Sequence, residues 1–440
     1  MINSGHILWN LGYGIGKIIL KLHNYCILRE IFFDENKHWE KFVNKYEDRI
    51  RPVVIKEINK FNRCGQKEAG FTLFACPVCG EMKIVPHTCK GRFCTSCATG
   101  YTQEWSRETS KRMYPVPHRH IMFTVDERLW EIFTRHRELL KDLMDLAVKI
   151  LLEWLKKRGK VKSGAMVGIH TFGARMNFNP HVHILVTEGG FDGAGKWVVK
   201  DFIPYVMLRK RWQAAVMEML KKKLPEQEVK RYKKLFQKIW DDNPEGFVIY
   251  GPPNKKGQGS VEAQVGYIGR YMRRPAMALS RIVDYDGENV TFKYFDKTEQ
   301  KEKQETITVE EFISRIIRHI PDEQFKTIRY YGIYSRRSKR LADKLMEAYL
   351  GRQKRRKNGQ RGKQRIGWRN KIEEFTGKDP LECMRCKEIM EYKGKVCLKS
   401  GILKVVDAVD DFAKKRLKEL AGIDEPSKQK KKETRKEKAA

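Results

Sequence analysis

Six of the ten cysteines in this chain fall between Cys64 and Cys97, and four of those form the pairs Cys76-x-x-Cys79 and Cys94-x-x-Cys97, fourteen residues apart. No other feature restricts the fold as much. A C-x-x-C turn brings two sulfurs to one side of the backbone while nearby amides stabilise the thiolates, so two such turns can enclose a tetrahedral Zn2+. The spacing therefore predicts a structural zinc site from Cys76, Cys79, Cys94 and Cys97, with Cys89 and His87 left over as spare ligands beside Cys64. Lys83, Lys90 and Arg92 are interleaved with these residues, which suits a module that positions nucleic acid rather than one that performs chemistry. A later pair, Cys383 and Cys386 with Cys397 beyond, is a lone C-x-x-C and fits free thiols as well as a second zinc.

The charge points the same way. Ninety Lys and Arg against fifty-five Asp and Glu give a net charge of +35, far beyond what solubility needs. Such an excess implies a polyanionic partner, with nucleic acid ahead of an anionic membrane surface. The apolar run "ILWNLGYGIGKIIL" is broken by Asn10 and Lys17 and is too short to span a bilayer, so a cytoplasmic protein is expected.

Along the chain, residues 29–63 carry helical periodicity, "HIMFTV" reads as a strand, and residues 127–159 read as a leucine-striped helix stopping at Gly159. "AMVGIHTFG" and "HVHILV" form a predicted hairpin, followed by helices around "YVMLRKRWQAAVMEML" and "VEAQVGYIGRYMRR". This order predicts an α+β fold: an antiparallel sheet with flanking helices, preceded by the small zinc-binding module. The expected divisions are an extension at 1–28, a helical and zinc-binding DNA-binding domain at 29–110, a catalytic domain at 111–345, a basic region at 346–424 and a disordered lysine-rich tail at 425–440.

Residues two apart on a strand face the same way, so His181 and His183 project together while Val182, Ile184 and Val186 point to the core. Two convergent imidazoles make a platform for a divalent metal. His118 and His120 share that spacing, but the charged Arg119 between them argues against a second such platform. Tyr267 and Tyr271 stand at i and i+4 on one helix face, flanked by Arg270, Arg273 and Arg274, a setting suited to a phosphate backbone.

Together, "HTCKGRFCTSC", "RHIMFTV", "HTFG", "NPHVHILV", "YIGRYMRRPAMALSRI", "VTFKYFDK" and "EEFISRIIRHIPDEQFKTIRYYGIYSRR" resemble the rolling-circle transposases of insertion sequences, specifically the insertion sequence 91 family within the two-tyrosine HUH (His, hydrophobic, His) endonucleases. The resemblance implies an HUH palm that nicks and rejoins single-stranded DNA at insertion-sequence ends through a 5′-phosphotyrosine. Residue by residue, it makes His181 and His183 ligands of a catalytic Mg2+ or Mn2+ and Tyr267 and Tyr271 nucleophiles. A third ligand is expected, with His170 the first choice ahead of Gln264 and His120. The implied partners are single-stranded DNA at the element's termini and target, without a membrane, and the implied setting is the prokaryotic cytoplasm at the nucleoid. A replication initiator of the same chemistry and a non-catalytic zinc-ribbon nucleic-acid-binding protein are the competing readings.

Overall fold

The computed structural model describes residues 26–200, 202–251, 263–266, 269, 276–296, 298–354 and 367–423. These form two compact units, one from the described parts of Met1–Glu30, Ile58–Cys94 and Arg361–Ala440, the other from Ile31–Glu57 and Thr95–Gln360.

With strands numbered along the chain, the first unit holds β1 (Gly70–Ala75), β2 (Met82–Pro86), β13 (Glu391–Lys399) and β14 (Ile402–Ala408), in the antiparallel order β14-β13-β1-β2. Alternation along β1 sends Phe71 and Leu73 to one face, where they meet Val396 and Leu417 in a small core. Leu417 comes from the helix Asp411–Ala421, which starts where the Asp410 carboxylate accepts from the Ala413 amide and stops at left-handed Gly422. Gly394 interrupts β13 at φ 149°, and a Cβ there would stand 2.6 Å from the Leu417 side chain, so only glycine lets this helix sit so close to the sheet.

The second unit is built on a five-stranded antiparallel sheet. Its strands are β3 (His118–Phe123), β4 (Gly164–Phe172), β5 (Phe178–Thr187), β8 (Ile249–Tyr250) and β12 (Ile328–Gly332), in the order β12-β4-β5-β3-β8. The predicted hairpin is the β4–β5 pair at the centre. Ile121, Val167, Ile169, Val182, Ile184 and Val186 line one sheet face and pack against the helices Leu139–Lys157 and Tyr205–Lys223. The sequence suggests one helix over 127–159, whereas the structure has a 3-10 turn at Glu127–Leu129 and helices Trp130–Arg135 and Leu139–Lys157. The break at His136 carries no Pro or Gly; its imidazole is held by Glu138 and Glu228.

Two short strands, β6 (Gly190–Phe191) and β7 (Trp197–Val198), and a meander of β9 (Ile282–Tyr285), β10 (Asn289–Asp296) and β11 (Lys301–Thr308) complete the strands of this unit. The meander and the helix Val309–Ile317 grip the β4–β5 loop. Glu305 on β11 takes Arg175 of that loop in a two-pronged pair at 2.8 Å and Arg315 at 2.9 Å. Half-buried His319 accepts or donates to Thr171 at 3.1 Å and meets the Met176 carbonyl at 2.9 Å. The ends of both central strands are thereby fixed, which holds the residues between them in place.

Candidate functional site

Antiparallel register sets His170 on β4 directly opposite His181 on β5, and His183 opposite Gly168. All three imidazoles leave the sheet on the face away from the Val182 and Ile184 core. Their ligand nitrogens lie within 4.8 Å of one another. His170 and His183 are buried, while His181 is half-exposed, giving the cluster one open side. The Asn179 carbonyl lies 2.8 Å from His181 Nδ1. A carbonyl can only accept, so Nδ1 carries the proton and Nε2 keeps its lone pair for a ligand. His120 Nε2 lies 2.8 Å from His183 Nδ1 and can do the same for that ring. Three imidazoles, each able to offer a lone pair, fit a divalent metal.

The HRH segment of β3 departs from the sequence expectation. Its Arg119 does point into the core side of the sheet, at 4 % exposure, but Glu188 accepts from its Nε at 2.7 Å and neutralises it there. His118 and His120 are therefore free to share the face of the other histidines. His118 meets Tyr334 Oη at 2.7 Å, and burial pushes both imidazoles down to about 4. Sequence reasoning missed Glu188, whose only signal was its place directly after β5.

Tyr267, Tyr271, Arg270, Arg273 and Arg274 lie outside the described residues. Their described neighbours are placed. Val265 is fully buried with Met166 and Leu185, both on the histidine face of the sheet. Gly269 approaches the helix Thr95–Arg112 so closely that a Cβ would stand 2.6 Å from Ser106 Oγ and 2.8 Å from the Trp105 ring. Gln264, the alternative third ligand, has its side-chain oxygen buried without a hydrogen-bond partner among the described residues.

The cysteines form two groups, and not in the pairing that their spacing suggests. Cys76 and Cys79 gather with Cys383 and Cys386, while Cys94 and Cys97 gather with Cys64 and Cys89. The reason is β1: Cys76 follows its last residue, and Ala75 pairs with Glu391, so the chain just ahead of β13 is brought to the Cys76 turn. In the other group Cys94 Sγ stands 3.8 Å from Cys64 Sγ, and the amides of Cys89 and Gly91 point at the sulfurs of Cys64 and Cys89. His87 joins neither group; its ring bonds Thr72 Oγ1 at 3.2 Å. Cys397 is likewise apart, opposite Gly70 on β13. Amides of Cys79 and Val78 hold the Cys76 thiol down to about 7. Lys90 is exposed in a left-handed conformation within the Cys89–Gly91 turn, and Arg92 is half-buried beside it.

Residues 164–341, from β4 into the first turns of the helix that begins at Arg336, match the family profile described as "Putative transposase", and residues 35–125 match the one described as "Transposase zinc-binding domain". These matches are those of a transposase that carries an N-terminal zinc-binding domain. The chain is 29 % identical to the transposase for insertion sequence element IS801 of Pseudomonas savastanoi pv. phaseolicola, over 69 % of this chain and 75 % of that protein. It is 25 % identical to "Putative transposase y4qJ" of Sinorhizobium fredii, over 74 % of this chain and 85 % of that one. The zinc-binding profile is that of insertion sequence 91 transposases, to which this chain is similar. No solved structure matches it. Among the described residues, no helix is long and apolar enough to cross a membrane.

Proposed function

We propose that the protein nicks and rejoins single-stranded DNA at the ends of an insertion sequence through a 5′-phosphotyrosine, with Tyr267 and Tyr271 as nucleophiles. The observation that carries this reading is the three-histidine face together with the anchoring of Val265 on that same face, two residues before Tyr267. In the sequence, Gln264, Tyr267 and Tyr271 recur at i, i+3 and i+7, a spacing offset from Val265 and Gly269.

In the reaction, a tyrosine phenolic oxygen attacks the phosphorus in line, a P–O(Tyr) bond forms, and the bond to the 3′ oxygen breaks, leaving a free 3′-hydroxyl. The number of phosphodiester bonds is unchanged, so a 3′-hydroxyl can reverse the step without ATP. Two tyrosines allow two strand ends to be held in turn. A metal on His170, His181 and His183 would polarise the phosphate and stabilise its developing charge. An all-imidazole set suits Mn2+ better than Mg2+, whose preference is for oxygen. His181 and His183 are kept in the ligand tautomer by the Asn179 carbonyl and by His120. Arg270, Arg273, Arg274, Lys90 and Arg92 hold the DNA backbone, and Cys64, Cys89, Cys94 and Cys97 hold a structural zinc. The enzyme acts in the cytoplasm on nucleoid DNA.

The experiment is trapping on labelled single-stranded DNA carrying candidate end sequences, with Mn2+, followed by denaturing electrophoresis. A denaturant-resistant adduct that disappears in the Tyr267→Phe, Tyr271→Phe double variant supports the reading. An adduct that persists there, mapped to another residue, overturns it.

A further inference from the structure

We infer that the protein holds a second structural zinc on Cys76, Cys79, Cys383 and Cys386, completed by a C-terminal knuckle that lies outside both segments shared with the transposase profiles. The two turns are built alike. In the first, the Cys76 amide donates to Glu81 O at 2.8 Å and the Gly80 amide to Cys76 O at 3.1 Å; in the second, the Cys383 amide donates to Glu388 O at 2.8 Å and the Lys387 amide to Cys383 O at 3.0 Å. Each C-x-x-C is followed by one left-handed residue, Gly80 at φ 73° and Lys387 at φ 68°. A lysine adopts that conformation only against a steric penalty. Its presence at the position matching Gly80 shows the second turn held to the geometry of the first.

The sulfurs face one another across the turns. Cys76 and Cys386 are 3.3 Å apart, Cys79 and Cys383 3.5 Å, and Cys79 and Cys386 3.6 Å. These separations are far longer than a disulfide bond of about 2.05 Å. They approach the edges of a tetrahedron drawn around zinc with Zn–S near 2.3 Å. The group rests on a small apolar base of Phe74 and Met390, and Lys83 Nζ donates to the Pro380 carbonyl at 2.5 Å, tying the two turns together. Cys386 is exposed, so burial of a free thiol does not account for its place in the group. The partner is a soft-ligand divalent ion, and in a four-thiolate tetrahedral site that is zinc. Its role is to bind the chain ahead of β13 to the β1–β2 turn.

The test uses the whole chain and does not depend on DNA cleavage, so it stands or falls apart from the nuclease reading. Purified protein, washed of weakly held ions, is analysed for zinc by mass spectrometry, and its thiols are alkylated with and without denaturant. The expected result is two zinc ions per chain with Cys76, Cys79, Cys383 and Cys386 protected until denaturation. Cys386→Ser, a near-isosteric change at an exposed position, should halve the zinc and open Cys76, Cys79 and Cys383 to alkylation while Cys64 and Cys89 stay protected. Cys386→His should restore the second zinc, because imidazole replaces a thiolate as a ligand but not as a packing group. One zinc per native chain with Cys383 and Cys386 freely alkylated, or full zinc content in Cys386→Ser, overturns the inference.

Discussion

Replacing His120 with Ala tests how the histidine face is organised. His120 is not one of the three clustered histidines, but its Nε2 stands 2.8 Å from His183 Nδ1, the nitrogen that must carry a proton if Nε2 is to bind metal. Losing that partner leaves the three clustered histidines in place and one ring with no fixed tautomer or orientation. Loss of such outer contacts weakens metal affinity roughly 10- to 100-fold, or about 1.4–2.8 kcal/mol. His181 has its own anchor in the Asn179 carbonyl, so the effect should stay near that range rather than grow. The assay is Mn2+ titration by calorimetry, paired with adduct formation as a function of Mn2+. The His120→Ala variant should need 10- to 100-fold more Mn2+ for half-maximal adduct, yet approach the parent level at saturation, and His120→Gln, which can still accept a hydrogen bond, should recover part of the loss. Affinity unchanged in His120→Ala, or activity that no amount of Mn2+ restores, refutes the positioning role; the second outcome would make His120 a ligand itself.

Changing His181 and His183 together to Ala should abolish adduct formation while binding of single-stranded DNA, measured by fluorescence anisotropy, falls less than about threefold, because the cations supply the affinity. That binding should also weaken steeply with salt, by a logarithmic slope of about 0.7 per phosphate contacted, and a flat response between low and physiological salt would count against a nucleic-acid partner. Arg119→Met leaves the Glu188 carboxyl without its cation and largely buried, with a side chain 13 % exposed, so unfolding should require about 3 kcal/mol less, and adding Glu188→Leu should recover much of it. Burial, with Arg318, Arg137 and Arg51 nearby, pushes His319 down to about 3, while the unfolded chain titrates near 6.5. The unfolded state therefore binds the extra proton in that window, and the stability this histidine contributes is full above about pH 6.5 and is lost as pH falls toward 3. In urea unfolding, the stability gap between the parent and His319→Gln should narrow from pH 7 to pH 4.5; a constant gap would show that His319 is not the titrating group.

Patterns that act within a few residues could be read from the chain, and those that depend on distant partners could not. Alternation alone placed Val182 and Ile184 in the core and His181 and His183 on the other face, and the short loop to "AMVGIHTFG" placed His170 across from them. Arg119 was misleading for the opposite reason. Whether a charge is tolerated in a core depends on its counter-ion, and Glu188 reaches it only through the β3–β5 pairing. The cysteines show the same limit more sharply. Spacing favours the nearest C-x-x-C, but the partner of Cys76 is Cys386, 310 residues later, and nothing local marks that choice. The break at His136 was hidden because a helix can end on side-chain contacts, here with Glu138 and Glu228, without Pro or Gly.

The position of β1 inside its sheet has a consequence for synthesis. One edge of β1 is paired early, by β2, but the other waits for β13, and Cys386 emerges 310 residues after Cys76. At about 5–20 residues per second, the ribosome takes on the order of 15–60 s to cover that distance. Throughout that interval the hairpin presents an open strand edge, and an isolated two-stranded hairpin is only marginally stable in water. Any chain cut short by a premature stop before Glu391 keeps that edge open permanently, so it is exposed to aggregation and proteolysis rather than left as a folded fragment.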